Sequence, residues 1–325
     1  MLSNPPKELP QTIGFILLPR FSMIAFTAAV EALRQANRLS DRELYRWPVF
    51  SIDGEPVAAS SGLVFTPEGD LEAASKLQTI ALCGGVDVQK IDDRRLIPWL
   101  RRMARQGSTL GAMCTAPYIL AKAGLLNDVA CTIHWENLAA FVEEFPELDV
   151  SNELFEIDRN RFTCAGGTAP LDMTLNAHER AAAVAEQFMH ERIRDHHDHQ
   201  RMSLPARLGV RHPKLLSVIA TMEQNLEEPL SRAQLAREAN LSTRQLERLF
   251  RKYLNRSPAR YYLELRLNRA RLLLLQTNLA VIDVALACGF VSASHFSKCY
   301  RDFFGRTPRR ERSLPSSTRD LRRTG

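Results

Sequence analysis

A cysteine and a histidine are the residues of this chain whose sequence context is most typical of a catalytic or ligand-binding site. Cys114 stands between a predicted strand (108–113) and a predicted helix (116–123), within the sequence GAMCTAP. A nucleophile elbow has this layout, because its sharp turn projects a side chain at the carboxyl edge of a sheet and the next helix N-terminus lowers the thiol pKa. His134 follows with an imidazole, and Gly84 and Gly85 offer backbone N–H groups to the same site. We therefore expect either thiol catalysis or a ligand pocket here.

The elements that must position these residues alternate between strand and helix. Strands are predicted at Thr12–Leu18, Pro48–Ile52, Thr79–Cys83, Ser108–Met113 and Arg161–Cys164, and helices at Ala25–Leu39, Pro98–Gln106, Ala116–Ala123 and from Leu175 to about Arg194. This alternation predicts an α/β doubly wound, mostly parallel sheet that is covered on both faces. Ligands in such folds bind beyond the carboxyl ends of the strands.

Charge divides the chain into two parts with different partners. Residues 1–192 carry 18 Lys and Arg against 25 Asp and Glu, whereas residues 193–325 carry 25 against 12, and 22 of those 25 are Arg. The planar guanidinium suits phosphates and guanine edges, so the basic part predicts nucleic-acid binding. No apolar stretch is long enough to span a bilayer, and Met1–Gln11 lacks the pattern of a signal peptide. We expect a two-domain cytoplasmic protein without a membrane partner.

Cysteine and histidine spacing predicts neither a metal nor a cofactor. The six cysteines form no CxxC pair, so free and mostly buried thiols are expected. His190, His196, His197 and His199 crowd the start of a polar stretch at 195–213. Because no carboxylate or cysteine pattern fixes a ligand geometry there, a solvated helix end is the preferred interpretation.

The basic part contains an internal repeat. Leu235–Leu241 matches Val284–Phe290 at an offset of 49, and a second match follows at an offset of 50. Each copy is predicted to be a helix, a tight turn at Asn240 or Gly289, and a second helix capped by Ser242 or Ser292. These are two helix-turn-helix units. A long helix at Ala259–Gln276, with an apolar stripe and several Arg on its other face, joins them.

The second helix of each unit, Thr243–Tyr253 and Ala293–Phe303, is the predicted recognition helix. Helical spacing places Leu246, Leu249, Phe250, Phe296, Tyr300 and Phe303 toward the core. The side chains left to face DNA are Thr243, Arg244, Gln245, Arg248, Lys252, Ser294, His295, Lys298 and Arg301. Arg and Gln read base edges, and basic residues farther along a helix hold phosphates.

Over roughly its last 100 residues the chain resembles the AraC/XylS-type transcriptional regulators. Both repeat units carry the resemblance, together with the segment 282–290, the sequence SHF at 294–296 and the sequence FGRTP at 304–308. The resemblance implies two recognition helices in neighbouring major-groove segments, about one helical turn of DNA apart. It also implies RNA polymerase as a partner.

The acidic part resembles the class I glutamine amidotransferase-like fold in its PfpI-type branch, over about residues 11–190. PfpI-type enzymes place a glutamate just after the first strand, and alignment through VEALR (30–34) puts Ala25 at that position. Thiol activation then loses a partner, so the prediction is that the chain is not an enzyme. The alternative is a cysteine hydrolase or amidase that uses Cys114 and His134, with the basic part as a DNA-targeting module.

The combination of the two parts resembles the GlxA-type regulators, in which the former enzyme domain is a ligand sensor and dimerisation surface. The sequences GFILLP (14–19), IHWEN (133–137) and GGTAPLD (166–172) are similar to the branch that controls choline, glycine betaine and carnitine catabolism, although amino-acid-sensing branches share much of this pattern. The candidate pocket residues are Cys114, His134, Trp135, Gly84, Gly85 and Phe21. Phe21, Phe26, Trp135 and Phe155 are candidates for an aromatic cage around a quaternary amine, but ordinary core packing is the preferred interpretation for each of them. Asp172 is predicted to cap the helix that follows it rather than to bind a ligand cation.

Four segments follow from these patterns: a ligand-sensing and dimerisation domain at 11–192, a linker at 193–213, an AraC-type DNA-binding domain at 214–312 and a disordered tail at 313–325. Together they predict a homodimeric regulator, acting as an activator, that binds double-stranded promoter DNA and responds to a small-molecule effector.

Overall fold

The chain divides into two units between Gln200 and Arg201. The computed structural model describes residues 9–176, 180–201 and 203–313. The predicted tail therefore lies outside the described residues, apart from Ser313. Among the described residues, no helix combines the length and the apolar character that crossing a bilayer requires.

A parallel sheet organises the first unit. Its strands, in chain order, are β1 (Gln11–Leu17), β2 (Tyr45–Arg46), β3 (Val49–Phe50), β4 (Val57–Ala58), β5 (Val64–Phe65), β6 (Thr79–Cys83), β7 (Thr109–Met113), β8 (Phe155–Asp158) and β9 (Arg161–Cys164). The main sheet has the order β2-β1-β6-β7-β9-β8, and β3 also pairs with β1. Every pairing in it is parallel except that of β8 with β9. The carboxyl ends of β6, β7 and β9 therefore lie side by side.

Helices cover both faces of this sheet, as the doubly wound prediction requires. They are α1 (Met23–Ser40), α2 (Leu71–Ala74), α3 (Leu96–Arg105), α4 (Pro117–Lys122), α5 (Trp135–Glu144), α6 (Ala169–Asn176) and α7 (Ala181–Gln187). Side chains alternate along β1, so Ile16 packs with the apolar side of α3 and α4, while Phe15 and Leu17 pack with α1 on the opposite face. The α/β fold class is confirmed.

Several elements of the first unit differ from the predictions. The helix expected from Leu175 to about Arg194 is wrong in extent, because α6 begins at Ala169 and α7 ends at Gln187. The antiparallel pair β4 and β5, the edge strand β8 and the helix α5 were not predicted. The strands β4 and β5 have two residues each, fewer than the roughly four over which an alternating pattern indicates a strand, and β8 has only four.

Helices make up the second unit: α8 (Leu204–Leu208), α9 (Pro213–Gln224), α10 (Arg232–Glu238), α11 (Thr243–Leu254), α12 (Pro258–Gln276), α13 (Val281–Ala287), α14 (Ala293–Phe304) and α15 (Pro308–Ser313). Leu246 and Phe250 of α11 are fully buried against α9, α10 and α12, and Phe296 and Tyr300 of α14 are fully buried in the second repeat. Leu249 and Phe303 are half-buried. The predicted core sides of both recognition helices are therefore confirmed.

Two arginines of α12, Arg266 and Arg271, make contacts inside the second unit. Arg266 donates to the carbonyls of Cys288 and Gly289 at 2.7 and 2.6 Å, and its guanidinium lies 4.1 Å from the Phe290 ring centroid. Arg271 is almost fully buried and donates to Glu311 of α15 at 3.0 Å. These arginines hold the second helix-turn-helix unit and α15 to the long helix.

The segment predicted as a linker, 193–213, is more structured than a linker. Its first residues form part of the first unit, its middle contains α8, and α9 begins at its last residue, Pro213. The division between the two units nevertheless falls inside it.

Candidate functional site

Cys114 lies at the carboxyl end of β7 in a left-handed backbone conformation, with φ of 61°. Its N–H donates to the carbonyl of Cys164 at 2.9 Å, and its own carbonyl accepts from the N–H of His134 at 3.0 Å. A positive φ is unusual for a residue with a side chain, and it is the strained geometry that a nucleophile elbow requires. The elbow predicted at this position is present.

Gly166 brings the thiol and the imidazole together. A β-carbon built on Gly166 would lie 2.8 Å from Cδ2 of His134 and 3.0 Å from Sγ of Cys114. Both side chains therefore border the space that a side chain at position 166 would fill. The Nδ1 atom of His134 accepts from the N–H of Glu136 at 3.4 Å and caps the start of α5.

The thiol of Cys114 is not activated. Burial raises its pKa to about 11, the N–H of Thr115 and the side chain of Ser22 oppose this shift, and the negative charge of Glu136 adds to it. Burial also lowers the pKa of His134, so the imidazole is mostly neutral at pH 7. A protonated thiol beside a neutral imidazole is a poor nucleophile.

This protonation state predicts slow alkylation of Cys114. At pH 7.5 a thiol of pKa about 11 is ionised to roughly 3 × 10⁻⁴, against about one tenth for an ordinary cysteine, so iodoacetamide should modify Cys114 roughly 300-fold more slowly than a free thiol. The rate should rise about tenfold with each pH unit and level off only as the pH approaches 11. Mass spectrometry of the Cys114 peptide measures the rate, with the half-buried Cys299 as an internal reference. Modification of Cys114 at the rate of a free thiol at pH 7.5 would show an activated nucleophile.

Alanine stands at the position where PfpI-type enzymes have a glutamate after the first strand. Ala25 lies in the first turn of α1 and is fully buried. Glu136, in the first turn of α5, is the carboxylate whose charge acts on both Cys114 and His134. Neither Ser22 nor Glu136 was predicted as a site residue, although both sit beside residues that were.

Three of the predicted pocket residues have other roles. The N–H of Gly84 already donates to the carbonyl of Met113 at 3.2 Å, so it is not available to a ligand. The carbonyl of Gly85 accepts from the Thr115 hydroxyl at 2.6 Å, and a β-carbon on Gly85 would lie 2.0 Å from the carbonyl oxygen of Arg20. Phe21 is fully buried and packs edge-on against Phe26. The two glycines allow close backbone packing behind the elbow.

Three of the four aromatic residues that could form a cage pack in the core, as the preferred interpretation predicted. Phe21, Phe26 and Phe155 belong to the apolar core between α1 and the sheet. Trp135 alone among the four lies at the site, beside the His134 ring at a centroid distance of 5.7 Å. The sequence does not distinguish an aromatic cage from core packing here, because the same residue types occur in both.

Asp172 neither caps a helix nor faces a ligand, which corrects the prediction. It lies inside α6 and is fully buried. Its carboxylate accepts from Nε2 of His190 at 2.8 Å, from the backbone N–H of Arg194 at 2.8 Å and from Nε of Arg194 at 2.9 Å. The helix thereby anchors the start of residues 190–200, which we call the strap.

The strap contacts the candidate pocket at two points before the chain enters the second unit. Arg194 donates to the hydroxyl of Thr168 at 2.7 Å, two residues after Gly166. Nε2 of Gln200 donates to the hydroxyl of Thr132 and to the carbonyl of Ile133, both at 2.9 Å, next to His134. The strap is therefore hydrogen-bonded to residues that lie one or two positions in sequence from Gly166 and His134, which border Cys114.

The turns of both helix-turn-helix units have the predicted chemistry. Asn240 and Gly289 have φ of 51° and 72°. The hydroxyl of Ser292 accepts from the N–H of His295 at 3.1 Å and caps α14. Ser242 forms a capping box with Gln245, whose N–H donates to the serine hydroxyl at 3.2 Å while its Oε1 accepts from the serine N–H at 2.8 Å. Both caps are confirmed.

All nine side chains predicted to face DNA are exposed on α11 and α14. Arg244, Arg248 and Lys252 lie on the side of α11 opposite Leu246 and Phe250. His295 is in contact with Cys299, four residues later, with Nε2 and Sγ 3.4 Å apart. Each unit therefore presents one capped helix with a polar, mostly basic outer face.

Comparison with known proteins agrees with both halves of this description. Residues 11–180 match the DJ-1/PfpI family, and residues 235–313 match the family described as "Helix-turn-helix domain". The chain is 52% identical over 314 residues to the HTH-type transcriptional regulator GbdR of Pseudomonas aeruginosa, which covers 95% of this chain and 86% of that protein.

Two further proteins are similar. The HTH-type transcriptional regulator CdhR of Pseudomonas aeruginosa is 45% identical over 312 residues, covering 94% of this chain and 93% of that protein. The crystal structure of an AraC family transcriptional regulator from Pseudomonas putida matches 55% of this chain and 100% of that chain, with 29% identity and a TM-score of 0.51. The chain therefore belongs to the DJ-1/PfpI family through its first unit and, over nearly its whole length, to the AraC-type HTH transcriptional regulators.

Proposed function

We propose that this chain binds promoter DNA through α11 and α14 and that a small metabolite, bound beside Cys114 and His134, controls its activity. The observation that carries the proposal is the pair of capped recognition helices with nine exposed side chains in one unit. N-terminal residues of such helices meet base edges, and later basic residues meet phosphates. Affinity for DNA should accordingly fall steeply with salt.

The first unit acts in this proposal as a sensor and not as an enzyme. The thiol of Cys114 is protonated at neutral pH, and Ala25 stands where the related enzymes have a carboxylate. A hydrolase would need a general base for the thiol, and the neutral imidazole has no carboxylate partner in the α1 position. The rival cysteine hydrolase or amidase is therefore not favoured.

The strap offers a route from effector to DNA binding. An effector changes DNA occupancy only if it binds two conformations with different affinity. Because Thr168, Thr132 and Ile133 bond the strap and also adjoin the residues around the thiol, a ligand that displaces them changes the contacts of Arg194 and Gln200. The strap then has one set of contacts with the effector and another without it.

A quaternary amine fits the chemistry of this pocket. Trp135 offers an aromatic face, and Glu136 supplies a negative charge that acts on both Cys114 and His134. Such a cation has no N–H to donate, so it is held by aromatic faces and by charge. Glycine betaine and carnitine are the effectors that we propose.

Calorimetry on the full-length protein tests the effector. Glycine betaine or carnitine should bind, and Glu136→Gln should weaken binding by about 1–2 kcal/mol, roughly 5- to 30-fold, because the cation loses its counter-charge. Glu143→Gln is the matched control, since Glu143 is exposed on the same helix. At about 100 times the dissociation constant the ligand should also stabilise the protein by roughly 2.7 kcal/mol.

The results separate the proposals. Binding of an amino acid but of no quaternary amine would overturn the ligand class and keep the sensor. Turnover of any ligand that disappears in Cys114→Ala would instead support the cysteine hydrolase or amidase.

Within the same proposal the protein is a cytoplasmic homodimeric activator that contacts RNA polymerase. A single species at the monomer mass in analytical ultracentrifugation would contradict the dimer.

A further inference from the structure

Three side chains that can ligate a metal ion meet at the surface of the first unit. They are Glu153, which precedes β8, and the adjacent His196 and His197 of the strap. One ligand atom from each lies within 4.8 Å of the other two. Nδ1 of His197 is 3.1 Å from Oε2 of Glu153, and the two imidazole rings have centroids 3.8 Å apart.

The fold supplies the carboxylate that the sequence pattern lacked. Glu153 is more than 40 residues from the histidines, but its backbone forms an isolated antiparallel bridge with that of His199. The N–H of Leu154 donates to the carbonyl of His196 at 3.3 Å, and Gln200 donates to the carbonyl of Glu153 at 3.0 Å. The backbone on both sides of the cluster is therefore held in register.

We propose that Glu153, His196 and His197 form a binding site for a divalent transition metal ion of the zinc class. Two imidazoles and one carboxylate are the ligand set that zinc accepts, with water as the fourth ligand. Magnesium and calcium prefer oxygen ligands and are disfavoured by this set.

Distances between the ligand atoms fit this assignment. Ligand atoms around a tetrahedral zinc ion with bonds of 2.0–2.2 Å are about 3.3 Å apart. The separation of 3.1 Å between His197 and Glu153 is already close to that value. The side chain of His197 is 76% exposed, so it is free to make the remaining adjustment.

Asp195 lies beside one of the histidines. Nδ1 of His196 is 2.8 Å from Oδ1 of Asp195. A carboxylate that bonds one ring nitrogen of a metal-binding histidine fixes the ring orientation and increases ligand basicity, and Asp195 is close enough to His196 to act in this way. His190 is excluded from the site, because its Nε2 is bonded to Asp172.

The test uses the full-length protein without a polyhistidine tag. Zinc chloride is titrated by calorimetry, and cobalt chloride by its visible absorption, which reports the coordination geometry. His197→Gln and Glu153→Gln should each weaken zinc binding roughly tenfold or more. His199→Gln is the matched control, because His199 contacts Glu153 through the backbone and its side chain is not one of the three ligands.

The stoichiometry distinguishes this site from the His295 and Cys299 pair of α14. Loss of one bound zinc ion in the double variant of Glu153 and His197, with unchanged circular dichroism, supports the proposal. No zinc binding by the wild type, the same stoichiometry and affinity in the double variant, or an equal loss in His199→Gln overturns it.

Discussion

Replacing Glu311 by alanine should destabilise the helical unit by about 3–5 kcal/mol, because it leaves a buried cation without its partner. Glu311 is fully buried in α15, where it accepts from Arg271 of α12 at 3.0 Å and from Arg306. Arg271 is itself only 5% exposed, so water cannot replace the lost carboxylate. The second recognition helix packs against the same long helix, so DNA binding should weaken with it.

Tryptophan positions give this prediction two independent readouts. Trp47, Trp99 and Trp135 all lie in the first unit, so tryptophan fluorescence reports the unfolding of that unit alone. In urea, far-ultraviolet circular dichroism should show an earlier transition for Glu311→Ala, while the fluorescence transition stays where it is in the wild type. Glu238→Ala, which removes an exposed carboxylate of α10, is the control. Coincident shifts of both transitions, or none, would show that the reasoning is wrong.

Removing one basic side chain from each recognition helix should reduce specific DNA binding more than any other surface change. Arg244 lies in the first turn of α11 and Lys298 near the middle of α14, and both are exposed. Each contact of this kind contributes about 1–3 kcal/mol, so Arg244→Ala and Lys298→Ala should each weaken binding roughly 5- to 150-fold. The double variant should lose about the product, because the two side chains belong to separate helices.

The measurement is fluorescence anisotropy at fixed salt with a duplex that the wild-type protein has selected from a random pool. Arg105→Ala removes the same charge from an exposed position in the first unit and should leave affinity unchanged. Loss at Arg244 should relax the preference for one base, whereas loss at Lys298 should lower the salt dependence if it holds phosphate. Affinities of both single variants within twofold of the wild type would refute the assigned DNA surface.

Sequence patterns that span only a few residues predicted the strands and turns whose formation depends on those residues alone. The strands β1, β6 and β7 were recognised because each contains a short, mostly apolar run, and β9 was recognised as the strand that precedes Gly166 and Gly167. The turns at Asn240 and Gly289 were recognised because a left-handed residue followed by a serine cap is a signal contained in a few residues.

Pairings between distant residues were not predictable in this way. Asp172 was expected to cap a helix, because nothing near it in sequence shows that His190 and Arg194 return to it. The carboxylate beside His197 is Glu153, and no spacing connects the two. The path of the backbone brings such partners together, so they can be identified only from the structure.

The capping box of α11 limits what Gln245 can do on DNA. A glutamine reads adenine with two bonds, accepting through Oε1 and donating through Nε2. In this structure Oε1 already accepts from the N–H of Ser242. A bidentate contact therefore requires the side chain to leave the helix terminus, at a cost of about 1 kcal/mol in helix stability. In the proposed complex with DNA, Gln245 therefore makes this contact only at a strongly matching base pair, so we expect it to contribute to discrimination between sites more than to affinity for DNA in general.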